Sequence, residues 1–483
     1  MTVKGFTRNF KPLEILTEGQ VEAIHRGALD VLESTGVRVE HDRALKLFEK
    51  NGCRVDYDEK RVRIPPGLVE ECLRKTPSSF HMKARDPKSD LQIGGDTVYF
   101  RPCSGSRIVD LDTWETRPAT RQERDNACIV MDALDNIHNL SFYPYFEVEG
   151  IPPVMAIPEV VAAMFRNSPK IQICVASDLD CEIFNIEMAK AVGTEIMSIF
   201  AIVPPLTIYA VHAECLFRTM EAGLPILVGS DGAYGATAPA TIAGSIVQST
   251  ASNISGIVLA QLIKPGARVL IADFSHAVEM RSGVPVYGGI ESALHSVMFN
   301  QVWRKYGIPT ATESFGPSSS KRIDFQCGYE KATGALIAAL AGSNSINFHG
   351  DIYGEISWHP VQAVLDDDIA GRVGHFLEGA LVNDETLAID LINEVGPIPG
   401  MYLDKAHTRQ WWQKEQFMPK AADRLSYPEW MEQGKKSALD YAKERVEEII
   451  ATHKPKPLTA SQDEEIERIL EEARTYYKKR GLI

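Results

Sequence analysis

The chain has 483 residues, of which 44% are apolar and 24% are charged, a composition typical of a globular protein with a large core. Its 65 acidic residues outnumber its 51 basic ones, and the formal net charge is −14. This balance argues against a protein that binds nucleic acid or an anionic membrane surface, because both kinds of partner require a basic face.

Targeting signals and disulfide patterns are not visible in the sequence. The amino-terminal segment has no apolar run of the length found in a secretory signal, and the eight cysteines are scattered without a CxxC pair. Residues 232–263 carry no Asp, Glu, Lys or Arg, but their many small polar residues predict a buried segment rather than a membrane helix. We therefore expect a cytoplasmic protein with buried, reduced thiols.

Residues 1–90 are predicted to form an N-terminal helical module. Thr17 and Gln20 have the spacing of a capping box, and apolar residues follow at helical intervals until Gly36. A second helix is expected near 42–50, and the prolines that follow residue 64 open a third.

From about residue 97, short apolar runs alternate with segments of helical length. The eight predicted strands are 97–101, 138–146, 171–176, 198–203, 225–230, 268–274, 309–315 and 344–349. This alternation favours a (β/α)8 TIM barrel, over 91–415, against an open doubly wound sheet, and 177–197 fits it least well. Residues 416–483 are expected to form a C-terminal helical extension.

The active site of a barrel lies at the carboxyl ends of its strands, so polar and aromatic residues at those ends are candidates for binding. They include Tyr99, Arg101, Tyr143, Tyr145, Asp231, Tyr234, Phe274, His276, Glu313, Phe315, Phe348, His349 and Asp351. The set is rich in rings and poor in bases, although packing in the core or in loops remains an alternative for each ring. Such a set suits a quaternary ammonium ion, which has no N–H to donate and is held by ring faces.

Other kinds of site have little support in the sequence. The 12 histidines are dispersed without an HExxH or HxxEH motif, and no metal site is predicted. A GxSxG elbow, a GxGxxG loop and a Walker lysine are also missing, which argues against a serine hydrolase and a nucleotide-binding loop.

Three blocks of sequence resemble the trimethylamine methyltransferase (MttB) superfamily. They are LDVLESTGVRVEHDRALKLFEKNGCRVD in the N-terminal module, GATAPATIAG followed by LAQLIKPGARVL, and SSSKRIDFQ running into GYEKATGALIAALAG. The blocks occur in the family's order along nearly the whole chain, which a chance match would not reproduce.

The resemblance implies a (β/α)8 fold and the transfer of a methyl group from a methylamine to Co(I) of a separate corrinoid protein. The family's trimethylamine enzymes carry pyrrolysine, which this sequence lacks; the equivalent position falls within Phe315–Lys321. Among the members without pyrrolysine, the chain most resembles those that act on glycine betaine and give dimethylglycine. A quaternary nitrogen leaves as a neutral amine, so neither a catalytic acid or base, nor a metal, nor a tightly bound cofactor is expected.

This expectation predicts which residues bind the substrate. His349 is the leading ligand for the betaine carboxylate, with a structural histidine bonded to a loop carbonyl as an equal alternative. Arg101 is the second choice, with Asp110 or Asp112 as alternative ion-pair partners of Arg101. The other predicted substrate-binding residues are Tyr99, Tyr143, Tyr145, Tyr234, Phe274, Glu313, Phe315 and Phe348. The predicted rim that faces the corrinoid consists of Gly235, Thr237, Pro239 and Thr241, for which close packing of a helix is an equal alternative.

Three alternatives stay open at this point. The substrate is another quaternary amine such as carnitine, choline or proline betaine, or the protein is a barrel hydrolase or lyase that uses Glu313, Asp351 or His349 as a base. The third alternative is a betaine-binding protein without enzymatic activity. A homo-oligomer is also possible, with the C-terminal helices packed on the barrel or on another subunit.

Overall fold

The computed structural model describes residues 4–141, 144–175 and 180–483. Its central sheet contains eight parallel strands, which are β1 (Thr97–Pro102), β2 (Leu140–Ser141), β3 (Gln172–Val175), β4 (Ile196–Ile202), β5 (Ile226–Ser230), β6 (Val269–Asp273), β7 (Thr310–Thr312) and β8 (Ser345–His349). Nearly all of their residues are buried, as expected for a parallel sheet covered by helices. The short strand Phe6–Thr7 pairs antiparallel with the start of β1 and is the ninth strand of the sheet.

Three groups of helices surround the sheet. The N-terminal helices are α1 (Glu18–Asp30), α2 (Asp42–Lys50) and α3 (Pro66–Lys75). The helices that follow the strands are α4 (Arg121–Ala133), α5 (Ala156–Asn167), α6 (Cys181–Val192), α7 (Ala210–Glu221), α8 (Ile242–Ile263), α9 (Ile290–Tyr306), α10 (Phe325–Ala341) and α11 (Pro360–Glu378). The C-terminal helices are α12 (Asp384–Leu387), α13 (Ile389–Val395), α14 (Ala406–Glu415), α15 (Tyr427–Glu432), α16 (Ala438–Thr452) and α17 (Ala460–Lys479).

The order of the parallel strands is β2-β3-β4-β5-β6-β7-β8-β1, and one helix follows each of them along the chain. The first strand therefore pairs with the last, and the order shows no reversal of the kind that defines a doubly wound sheet. Beyond the residues of β1 that pair with Phe6–Thr7, β1 faces β2: the His138 amide donates to the Phe100 carbonyl (2.9 Å), and the Ser141 hydroxyl donates to the Pro102 carbonyl (3.0 Å). The expectation of an α/β fold is confirmed.

A β-hairpin covers the amino end of the sheet. Its two strands, Ser79–Met82 and Leu91–Gly94, pack apolar side chains into the cluster formed by the inward-facing residues of the parallel strands. Arg268, at the start of β6, donates to the His81 carbonyl of this hairpin (2.8 Å). The hairpin therefore covers the amino end of the sheet.

Helix α8 contains most of the stretch that lacks formal charge. Among the described residues it is the one helix long and apolar enough to cross a membrane, but 78% of its most apolar window is buried inside the protein. It packs against α1, α3, α7 and α9. Its lack of charge therefore reflects a place in the protein core, where charged side chains are rare.

The C-terminal helices differ in how they pack. Helices α16 and α17 bury one face each, against α4 and α11 and against α5 and α6 respectively. The four short helices α12–α15 contain no buried residue. All eight cysteines of the chain are buried.

Candidate active site

A cavity of about 410 Å³ lies at the carboxyl ends of the strands. This mouth cavity is lined by Ser104, Phe146, Val175, Ile199, Ala201, Ile202, Val203, Pro204, Gly229, Asp231, Phe274 and Glu355. Its wall is mainly apolar, and its polar groups are two carboxylates and one hydroxyl. A few polar groups in an apolar concave wall are typical of a small-molecule site.

The aromatic part of the cavity depends on a glycine. Phe274 follows β6, and its ring lies over Gly229 of β5, where a Cβ atom would come within 2.4 Å of the ring. Any larger residue at position 229 would displace the ring from the wall. Phe146, in the segment after β2, provides the second ring of the cavity.

Two carboxylates face the cavity. Asp231 follows β5, its side chain is 61% exposed, and it pairs with the His276 imidazole at 2.8 Å. Burial alone would lower the pKa of His276, but the hydrogen bond and negative charge of Asp231 outweigh burial and raise it. Burial raises the pKa of Glu355 to about 7, and the negative charges of Glu313 and Asp231 act in the same direction.

Arg101 and Glu313 form an ion pair inside the sheet. Both side chains are fully buried; Arg101 also donates to the Ser345 hydroxyl (3.0 Å) and to the Asn347 side chain (3.3 Å). Burial raises the pKa of Glu313 to about 6, although Arg101 opposes this effect. The partner of Arg101 is therefore Glu313, rather than Asp110 or Asp112 as the sequence had suggested.

The strand-end position of His349 does not bring its ring to the mouth cavity. The register of β8 against β1 shifts between Asn347 and His349, which is a β-bulge. The imidazole packs against Phe100 and Phe348, whose rings belong to the core between the sheet and α10 and α11. Burial, with Lys331 nearby, holds the pKa of His349 well below its usual range, so the ring is neutral.

Four more of the predicted ligands lie away from the cavity. The Tyr99 hydroxyl bonds with the backbone of Gln92 in the amino-end hairpin. Tyr145 packs edge-on against Trp358, with ring centroids 5.9 Å apart, and Phe348 lies in the outer core. Phe315 is buried in the loop after β7, and its backbone carbonyl lies against Gly334 of α10. Tyr143 lies outside the described residues.

Tyr234 belongs to a buried polar chain beside the cavity. Its ring stacks on His295 at 5.2 Å; His295 bonds with Asp273 (3.0 Å) on one side and with the Ser245 hydroxyl (3.3 Å) on the other. The order of Asp, His and Ser resembles a catalytic triad, but Ser245 is 1% exposed and does not line the cavity. The chain instead fixes the first turn of α8 against β6.

The residues predicted to face a corrinoid are exposed at the same end of the sheet. Gly235, Thr237, Pro239 and Thr241 lie between β5 and α8, and all four are exposed. The Thr237 hydroxyl accepts from the Ala233 amide (3.0 Å) and closes the turn, whereas Thr241 caps α8. The segment is thus a small, uncharged part of the rim.

Sequence reasoning found Asp231 and Phe274 but missed Ser104, Phe146 and Glu355. Glu355 lies in the tight turn between the short antiparallel strands Asp351–Ile352 and Ser357–Trp358, just after β8. Gly354 in this turn has φ +60°, and the sequence DIYGEISW carries the turn signal that could have identified a loop folding back over the mouth.

The described residues contain no group of three side chains that could hold a metal ion. Within the cavity the Ser104 hydroxyl bonds with the Glu355 carboxylate, and this bond opposes the effect of burial on the pKa of Glu355. What the cavity offers a ligand is two rings, an apolar wall and two carboxylates, an arrangement suited to binding an organic cation.

Fold and cavity together define an α/β protein whose parallel strands hold a cavity lined by rings and carboxylates at their carboxyl ends. The chain belongs to the trimethylamine methyltransferase (MTTB) family, whose sequence model matches residues 1–475.

Curated relatives align over nearly their whole length. Glycine betaine methyltransferase of Desulfitobacterium hafniense (strain Y51) is 29% identical over 466 residues, which cover 94% of this chain and 96% of the relative. Trimethylamine methyltransferase MttB of D. hafniense (strain DSM 10664 / DCB-2) is 29% identical over 471 residues, covering 95% and 94%. Since relatives at equal identity act on different amines, identity alone does not select the substrate.

The fold is similar to that of a solved methyltransferase. The structure of Methanosarcina barkeri monomethylamine methyltransferase (MtmB) matches 96% of this chain and 93% of that chain, with a TM-score of 0.51 and 11% sequence identity. Its hydroxylamine complex matches with a TM-score of 0.52 and 12% identity. These matches support the arrangement of helices and strands.

Proposed function

We propose that the protein transfers one N-methyl group of a quaternary amine to Co(I) of a separate corrinoid protein. The observation that carries the proposal is the mouth cavity, which offers rings and carboxylates to a cation. Glycine betaine, which would give dimethylglycine, is the first substrate to test because a relative is named for it. Carnitine, choline and proline betaine are the other quaternary amines to compare.

The reaction needs little help from acids or bases. The cobalt nucleophile attacks the methyl carbon, the C–N bond breaks, and its electron pair stays on the nitrogen, which leaves as a neutral tertiary amine. The protein has to hold the ammonium group, point one methyl group toward the opening and exclude water. Phe146 and Phe274 perform the first task, since ring faces attract a cation without forming a strong bond that the transition state would have to lose.

The proposal includes a closed (β/α)8 barrel and a docking rim. The bonds between the β1 and β2 edges support closure of the sheet. The exposed, uncharged segment that contains Gly235, Thr237, Pro239 and Thr241 lies beside the cavity opening, and a flat rim of this kind admits a large planar ring. The substituted lysine of the trimethylamine enzymes has no counterpart in this sequence, which is consistent with a substrate that already carries a good leaving group.

The competing hydrolase or lyase has less support. Glu313 is held by Arg101, and His349 packs in the outer core, so neither reaches the cavity as a base. Asp351 is buried in an ion pair with Lys331.

The decisive experiment mixes the protein with Co(I)-cobalamin and a panel of quaternary amines and follows the visible spectrum. We expect conversion to methyl-Co(III) with at least one quaternary amine, together with release of the corresponding tertiary amine. A spectrum that does not change with any amine in the panel refutes the proposed function. Consumption of an amine without cobalamin identifies a hydrolase or lyase instead.

A further inference from the structure

The charges around the mouth cavity are unevenly distributed. Among the described residues that line it, Asp231 and Glu355 are charged and none is a lysine, arginine or histidine. The undescribed segments 142–143 and 176–179 also contain no lysine, arginine or histidine in their sequence. The cavity therefore presents negative charge without a lining cation.

The two nearby basic groups are already engaged. His276 is held by Asp231 at 2.8 Å, which makes that pair neutral when the imidazole is protonated. Arg101 is fully buried, paired with Glu313 and bonded to the hydroxyls of Ser141 and Ser345. A substrate carboxylate would find neither group free, and it would lie close to Glu355.

We propose that the mouth cavity selects methylated ammonium cations whose remaining substituent is uncharged, such as choline or tetramethylammonium, and that Glu355 is the residue that disfavours a carboxylate. This inference rests on the proposed function for the identity of the site, and it narrows the substrate class from quaternary amines to those without an acid group. Glu355 stands opposite the cation in the ground state, and the Phe146 and Phe274 rings complete the wall.

The charge of Glu355 affects substrate binding and methyl transfer differently. A carboxylate attracts the ammonium ion in the ground state, but the positive charge on nitrogen disappears as the methyl group leaves. Removing the carboxylate should therefore raise KM for choline and leave kcat unchanged or increase it. A merely structural role of Glu355 would lower kcat or stability without this division.

The test is a binding titration at pH 8, where Glu355 is charged, and it uses no cobalamin. Choline, tetramethylammonium and glycine betaine are titrated into the wild-type protein, Glu355→Gln and the matched surface control Glu115→Gln. We expect choline and tetramethylammonium to bind the wild type at least roughly tenfold more tightly than glycine betaine. Glu355→Gln should weaken choline binding roughly tenfold and so reduce the difference in affinity between choline and glycine betaine. The control Glu115→Gln should bind all three ligands as the wild type does.

The outcomes separate this inference from the proposed function. Glycine betaine binding as tightly as choline, or a choline-to-betaine ratio that Glu355→Gln leaves unchanged, overturns the inference even if methyl transfer to cobalamin succeeds. A preference for choline without any methyl transfer refutes the proposed function and leaves the inference standing. If Glu355→Gln does not fold, as judged by circular dichroism, Asp231→Asn at the exposed rim replaces it and should narrow the same ratio.

Discussion

Asp351 and Glu355 both follow β8 in the chain, but their surroundings differ. Asp351 pairs with Lys331, which also contacts Asp366 at 3.3 Å, and all three side chains are fully buried. Glu355, four positions after Asp351, faces an open cavity instead. The difference shows that the surroundings of an acid, rather than its position after a strand, distinguish a structural carboxylate from one available to a ligand.

The pKa shifts of the carboxylates near Lys331 and of Glu355 go in the same direction, so they do not distinguish the structural acids from the one that faces the cavity. Burial raises the pKa of Asp366 to about 7 against the opposing charge of Lys331, and burial also raises that of Glu355 to about 7. In the Lys331 network a protein cation compensates the buried charge. In the mouth cavity the compensating cation is expected to be the substrate.

The largest expected effect is a loss of stability on removing the cation that Asp351 and Asp366 share. Lys331→Met leaves Asp351 and Asp366 buried without their cation, so we expect a loss of about 3–5 kcal/mol in the free energy of unfolding. Denaturant unfolding followed by circular dichroism measures this change. Lys46→Met, at an exposed position of α2, is the control and should alter stability by less than about 0.5 kcal/mol. A similar result for both variants would contradict the structural role of Lys331.

The second prediction concerns how choline binding at Glu355 depends on pH. The raised pKa of Glu355 means that it is protonated below about pH 7 and charged above it. Choline keeps its charge throughout, so its affinity should rise up to roughly tenfold between pH 6 and pH 8. Deprotonation of His276 acts in the same direction by freeing Asp231, and Glu355→Gln isolates that smaller part. An affinity for choline that falls over this range would contradict the assignment.

The third prediction compares a ring in the cavity with a ring in the outer core. Phe274→Leu removes a ring face from the cavity and should weaken choline binding by about 1 kcal/mol, which is roughly fivefold. Phe348→Leu makes the same change between the sheet and α10, where it should lower stability and leave choline affinity unaltered. Titration of both folded variants decides the matter; equal losses of affinity would show that Phe274 acts only through packing.

The fold could be predicted from the sequence because its signals are periodic and local. Each predicted strand run overlaps one of β1–β8, and segments of helical length between them, such as 120–136 and 181–193, correspond to α4 and α6–α10. The capping box at Thr17 and Gln20 is present at the start of α1. The bonds between β1 and β2 and the amino-end hairpin depend on contacts between distant residues, which hydrophobic periodicity does not encode.

The site could be predicted only in part, for reasons that lie in the strand ends. Asp231 and Phe274 directly follow β5 and β6, where alternation still indicates which side chains face inward. Glu355 lies in a hairpin beyond β8, and no period connects it to the strand. The place of His349 at the end of a strand predicts a ring at the mouth, but the register shifts after Asn347 and the ring packs on Phe100 and Phe348.

The smallest expected effect is the change in KM on replacing His349, which follows the bulge. If His349 held a substrate carboxylate, its replacement would raise KM for glycine betaine well beyond tenfold. The neutral, buried imidazole instead packs between Phe100 and Phe348, so His349→Leu should change KM for any quaternary amine less than about twofold once the variant is folded. The measurement is KM in the cobalamin assay, with Glu355→Gln compared in the same series. A large increase in KM for glycine betaine in His349→Leu, without one in Glu355→Gln, would show that His349 binds the substrate carboxylate. Glu355 would then not be the residue that determines the choice of substrate.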